Sequence, residues 1–182
     1  MYCFFGVTKV EETTLTKIMG NSAAIVEQMA AYIKAKNSEI AQSVIDMLPF
    51  YFSEGKAEGV REDIAFAQSC LETGNFGFPG SAVTLDQNNF CGRGVTSNGM
   101  KGNSFDTPQL GIRAQIQHLK AYASTEKLKN ECIDPRFKYV TRGCAEYVEW
   151  LGQKEKSEWK GMGGRSWIWC KNYCNSQRHY RN

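Results

Sequence analysis

Proline is scarce, four in 182 residues, and no run approaches the roughly 18 apolar residues that a membrane span requires. With 42% hydrophobic, 12% aromatic and 23% charged residues, the composition excludes a disordered or collagen-like chain and supplies a sizeable core for one domain. The start, Met1 to Val10, is nearly uncharged and lacks a small-residue cleavage site, so neither a signal peptide nor a membrane anchor is expected. A strong charge of one sign is also missing. Twenty-two Lys and Arg against 19 Asp and Glu give +3, too mild an excess to make nucleic acid the expected partner. The seven cysteines are odd in number and widely spaced, which excludes a closed disulfide framework using all of them. Cys170, Cys174 and His179 lack a second ligand pair, so no metal is expected. Gly92-Arg93-Gly94 lacks the Lys-Ser/Thr and the strand-to-helix frame of a phosphate loop.

Helical spacing is what the chain does have. Ile25, Met29, Tyr32 and Ile33 predict a helix over Ala23 to Ala35, with Asn21 or Ser22 as its cap. Val44, Ile45, Leu48, Tyr51 and Phe52 predict a second over Ala41 to Phe52, kinked or broken at Pro49, with Gly55 and Gly59 marking a turn. Ile64, Ala67, Cys70 and Leu71 predict a third over Arg61 to Glu72, stopped by Gly74. Residues 75 to 106 are rich in Gly, Phe and Asn without a helical period and read as loop and short strand. Thr107 to Ser124 returns to helix with Pro108 in its first turn, and Phe137 to Leu151 suggests a final helical segment. His118 reads as a helix residue without ligand partners at suitable spacing. The fold class is mostly α, within α+β.

Glu72 is the sharpest chemical candidate. A carboxylate ending an apolar helix beside a Gly/Asn/aromatic segment has the setting in which partial burial raises its pKa and makes it a general acid; the alternative is a solvated Glu at a helix end. Asn88 and Asn89 read equally as sugar-binding amides beside an aromatic face or as turn-forming residues of the loop.

Three blocks in order carry a resemblance: Ala67-Gln68-Ser69-Cys70-Leu71-Glu72-Thr73-Gly74-Asn75-Phe76, then Asp86-Gln87-Asn88-Asn89-Phe90-Cys91-Gly92-Arg93-Gly94, then Gly111-Ile112-Arg113-Ala114-Gln115-Ile116-Gln117-His118-Leu119-Lys120. Over about residues 18 to 152 the chain resembles the glucosaminidase domain of bacterial and phage cell-wall hydrolases, the family-73 glycoside hydrolases. The resemblance implies a lysozyme-like domain with a small β/loop lip, and cleavage of the β-1,4 bond after N-acetylglucosamine in peptidoglycan. It places Glu72 at the general-acid position and substrate contacts at Gln68, Asn75, Phe76, Gln87, Asn88, Asn89, Phe90, Gly92 and Gly94. It further implies no cofactor, no metal, and peptidoglycan or a related N-acetylglucosamine-containing glycan as partner. A monomer binding neither nucleic acid nor membrane, located outside the cell or in the cell wall, is the matching expectation.

Ordinary glycosidases pair their acid with a second carboxylate about 5–9.5 Å away. Many relatives carry a Glu in the hairpin region that this chain lacks, so Asp106, or Asp86, would substitute unless the substrate's 2-acetamido group assists. Asp106 also reads as the cap of the helix beginning at Thr107.

Residues 153 to 182 do not match the ending of the relatives, which carry a Gly-Trp-Ala-x-Gly-x-x-Tyr-Gly segment and an apolar helix. The possible codons of Trp167 to Cys174, read one base later, permit Gly-Tyr-Gly-Ala-Lys-Ile-Ile-Ala, with both glycines forced by the Trp codons. A one-base frameshift near residues 152 to 156 is therefore expected. It would leave an atypical tail behind a catalytic domain at 18–152 and would impair stability and activity.

Overall fold

The structure is a computed structural model and describes residues 15–81, 83–92, 94 and 102–151. The readings of Met1 to Val10, Arg93, Cys170, Cys174, His179 and the tail lie outside them. Four helices dominate: α1 (Val26–Lys36), α2 (Gln42–Glu58), α3 (Glu62–Glu72) and α4 (Pro108–Ala123). Three 3-10 turns, Leu85–Gln87, Phe137–Tyr139 and Val148–Leu151, complete the regular structure described. The architecture is thus mostly α, as a lysozyme-like domain requires.

At the centre is α3, in which every residue from Glu62 to Cys70 is buried. A helix buried on all sides needs partners all round it. Phe66 meets Tyr51 of α2 edge-on at 5.7 Å, Tyr32 of α1 at 6.4 Å, and Phe76 in a stack at 6.2 Å. Ile112, Ile116 and Leu119 of α4 join the same core.

Helix α2 runs through Pro49 without a break and ends only at Gly59, which caps it at φ 73°. An interior proline costs about 3 kcal/mol. Met47, Leu48 and Tyr51 are each buried beside it, at about 1.5–3 kcal/mol apiece, and outweigh that cost while Pro49 itself stays exposed. Gly55 sits within the helix rather than in a turn. A Cβ there would lie 2.6 Å from Glu62 Cγ and 2.8 Å from the Val60 carbonyl oxygen, so the glycine lets α2 and α3 fold back tightly on one another.

The first helix starts later than its spacing suggests, after Ile25. Ser22 and Ala23 instead donate their N–H groups to the carboxylates of Glu62 (2.9 Å) and Asp63 (3.1 Å). Residues 137–151 likewise form two 3-10 turns and not a helix. Gly143, at φ 70°, turns the chain so that its N–H donates to the Ala121 carbonyl (3.0 Å) and that of Ala145 to Tyr122 (2.8 Å). Those donors cap the last turn of α4, where carbonyls would otherwise lack partners, instead of building a helix of their own.

Among the described residues the β content is two isolated bridges, Lys17 with Tyr147 and Met19 with Val60. They place an extended segment, 16–20, between the α2–α3 turn and the Val148–Leu151 turn. Among the described residues of 75 to 106 there are turns and one 3-10 turn but no strand, so the strand expected in the lip is not found there. No helix among the described residues is long and apolar enough to cross a membrane.

A polar seam joins α2 to α4. Glu54 accepts from Arg113 Nε (2.8 Å), Gln109 (2.6 Å) and Asn130 (3.2 Å); one turn on, Glu58 accepts from Lys120 Nζ (2.9 Å) and from the N–H groups of Lys129 and Asn130. Burial alone would push both carboxyls up, but these donors outweigh it and hold both below the ordinary range.

Candidate active site

Glu72 is the last residue of α3 and is exposed. The partial burial expected of it is absent from the structure, because α3 surfaces where its last turn meets the loop. The helix stops abruptly there. Thr73 is buried; its hydroxyl donates to the Ser69 carbonyl (2.7 Å) and accepts from Phe76 N–H (2.8 Å). Gly74, Asn75 and Phe76 then adopt left-handed backbone in succession, at φ 58°, 57° and 58°. For non-glycine residues this conformation costs about 1–2 kcal/mol each. Phe76 holds it because its ring is buried between Phe66 and Phe90, 6.2 and 5.9 Å away. Asn37, at the end of α1, donates to the Asn75 carbonyl (3.1 Å), while Asn75 Oδ1 is buried without a partner among the described residues.

The opposing loop comes close at Gly92. A Cβ built there would stand 4.0 Å from Glu72 Oε2, and Gly92 has φ 61°, so a side chain is disfavoured beside the carboxylate. Gly94, at φ 78°, approaches Asn103 in the same manner, with a Cβ 2.5 Å from its Oδ1. Three consecutive amides build this loop. Gln87 Nε2 donates to the Gly102 carbonyl (3.2 Å), Asn88 Nδ2 to that of Phe105 (2.8 Å) and Asn89 Nδ2 to that of Asn103 (3.0 Å). The Gln87 carbonyl accepts from Phe105 N–H (2.9 Å), so the returning chain 102–105 is stitched to the Asn-Asn block. Gly111 then seats the loop on α4, since any Cβ at that position would collide with the Asn88 carbonyl oxygen.

The predicted contacts therefore separate by depth. Gly92 lies beside Glu72. Gln87, Asn88 and Asn89 spend their amide donors on the loop, and Asn89 is fully buried. Phe76 and Phe90 belong to the core, and Gln68 is buried at 4% exposure. Asp106 is exposed on the returning chain, one residue past Phe105. It is not the cap of α4: Thr107 is, through its hydroxyl accepting from Leu110 N–H (3.2 Å), because Pro108 occupies the first helical position. Among the described residues no group of three His, Cys, Asp or Glu side chains could hold a metal ion.

One network behind the site is invisible to apolar periodicity. Gln115 of α4, wholly buried, donates to the Ala65 carbonyl and to Gln68 Oε1, both at 2.9 Å, and accepts from Ser69 Oγ (2.9 Å), which in turn accepts from Tyr51 (2.7 Å). It fixes Gln68, one turn before Glu72 on the same helix. The signal in the sequence is a glutamine flanked by the buried Ile112 and Ile116, where a polar side chain must find partners.

Comparison with known proteins agrees with the motif blocks. The chain is 44% identical over 124 residues to an uncharacterized protein of Borreliella burgdorferi, covering 68% of this chain and 60% of that protein. The chain thus spans about three-fifths of that relative's length. No solved structure matches. The family pattern described as mannosyl-glycoprotein endo-beta-N-acetylglucosaminidase matches residues 48–179, a stretch holding α3, the lip, α4 and most of the segment beyond residue 152. On that match the chain belongs to the glucosaminidase family, a family of glycoside hydrolases.

Proposed function

We propose that this chain is a peptidoglycan hydrolase, an endo-β-N-acetylglucosaminidase that cleaves the β-1,4 bond after N-acetylglucosamine. The observation that supports it is the Glu72 carboxylate, exposed at the end of a rigid buried helix and facing Gly92, which leaves room for a sugar to approach. A glycan laid over that face would displace water from Glu72. Desolvation favours the protonated carboxyl, which then donates its proton to the glycosidic oxygen as the bond breaks. Water completes the step by bonding to the freed anomeric carbon, either deprotonated by Asp106 as it attacks or attacking after the substrate's own acetamido oxygen has closed on that carbon.

Digestion of purified peptidoglycan followed by reducing-end analysis tests the reaction. New N-acetylglucosamine ends support it, whereas N-acetylmuramic acid ends would make the chain a muramidase. Absence of new ends, with the protein still sedimenting on cell walls, would make it a glycan-binding remnant. Under the same proposal residues 153–182 impair this activity, and the family match that runs on to residue 179 argues against that part; a chain with the shifted frame restored should melt higher and digest faster, and equal behaviour would remove it.

A further inference from the structure

Residues 127–142 leave α4 and return to cap it. They carry five cations (Lys127, Lys129, Arg136, Lys138, Arg142) against Glu131 and Asp134. Among the described residues outside this segment the balance is reversed, with thirteen carboxylates against seven Lys or Arg. Among the described residues the basic loop is therefore a local concentration of positive charge. Asp134 does not offset it at the surface, since that carboxylate is buried and bonded to His118 Nδ1 at 2.7 Å.

Its aromatics are equally distinctive. Tyr139 is 72% exposed, the highest value among the exposed large hydrophobic side chains of the described residues, and Lys138 Nζ stands 5.1 Å from its ring centre. Arg142 is fixed by donating to the Ser124 and Glu126 carbonyls, and it lies over the Phe137 ring at 4.5 Å. Arg142 and Phe137 are thus packed together and braced, while the neighbouring Arg136, Lys138 and Tyr139 are exposed. An exposed ring flanked by cations stacks on a sugar face while the cations meet carboxylates.

We propose that the Arg136–Arg142 surface is a second binding surface for a carboxylate-bearing glycan strand, separate from the Glu72 face. The two lie toward opposite ends of α4: Gly111 seats the lip, and Ala121 and Tyr122 seat the basic loop. Ten residues of helix, about 15 Å, separate these two attachment points on α4. A strand held at the loop is kept near Glu72 without its reacting bond being touched there. The choice of glycan rests on the peptidoglycan reading above.

The test compares the full chain with its Arg136→Ala/Lys138→Ala/Tyr139→Ala variant, all three side chains being exposed. Binding is measured by co-sedimentation with purified peptidoglycan sacculi and with chitin, the neutral polymer of the same sugar. Loss of these contacts should weaken sacculus binding about tenfold and flatten its salt dependence, with chitin, which can meet only the lost ring, weakened less. Equal sacculus binding and equal salt dependence would overturn the proposal. So would tighter binding of single-stranded RNA than of sacculi at the same salt, which would make this a nucleic-acid surface. Failure of the Glu72 reading is distinguishable, because it is read by released reducing ends: an inactive chain whose sacculus binding still depends on Arg136, Lys138 and Tyr139 would keep this surface and lose that one.

Discussion

Two sets of glutamates on neighbouring helices are handled in opposite ways. Glu54 and Glu58 of α2 are buried at 2% exposure and are surrounded by donors from α4 and the loop after it. Glu72 of α3 stands at the surface beside a glycine. The first pair is buried among its donors and carries stability; the third stands exposed at the end of a buried helix, where a substrate can reach it. Surroundings, and not residue type, separate a structural carboxylate from one that can meet a substrate.

The contrast breaks most visibly at Glu58. Glu58→Ala would leave Lys120, 1% exposed, buried without its carboxylate, and should cost about 3–5 kcal/mol in chemical denaturation. A loss under about 1 kcal/mol would mean that the seam is not a buried ion pair. Gly111→Ala comes next. It drives a Cβ into the Asn88 carbonyl, so a cost of about 1–3 kcal/mol is expected together with lower activity, as the lip moves away from α4. Wild-type stability and activity in that variant would contradict the close approach.

Asn88→Ala removes only the donor to the Phe105 carbonyl and places a non-Asn residue at φ 53°, which should cost about 1 kcal/mol. Thermal melts with and without the variant check it. Glu72→Gln should be the mildest for folding, within about 0.5 kcal/mol, while turnover of peptidoglycan disappears. If stability falls by several kcal/mol, Glu72 is structural and the contrast collapses.

Acid sharpens the same difference. Because Glu54 and Glu58 are held below the ordinary range when folded, their contribution is full above the unfolded value near pH ~4.3 and is lost as pH falls through their folded values. Glu62, which burial pushes up, acts in the opposite sense and is favoured protonated. Melting temperature from pH ~7 to ~3 should therefore fall, and Glu54→Gln should make the fall shallower. An unchanged slope would remove Glu54 from this account.

Much of this was legible from spacing alone. Helices α3 and α4 follow from apolar stripes bounded by Gly74 at one end and by Thr107-Pro108 at the other, and the position of Glu72 follows from where α3 stops. The passage of α2 through Pro49 was not legible, since it depends on burial that local propensity does not contain. Nor was the fate of residues 137–151, whose N–H groups serve α4 across a loop. At the site, the Gln87-Asn88-Asn89 block was legible as polar and loop-forming, but the direction of each amide is set by the chain returning at 102–105. The exposure of Glu72 depends in the same way on how the loop meets α3.

The extended segment 16–20 carries a consequence for the order of folding. Thr16 N–H bonds to Glu149 (2.9 Å) and its carbonyl accepts from Val148 N–H (2.8 Å), contacts about 130 residues apart along the chain. Such a closure is entropically costly until the helices between have packed. On a ribosome adding about 5–20 residues per second, residue 16 emerges on the order of ten seconds before its partners exist. The α2–α3 turn, which this segment also touches through Arg61 N–H and the Ile18 carbonyl (2.9 Å), is an anchor made earlier. The part of the described chain made first is thus among the last to be secured.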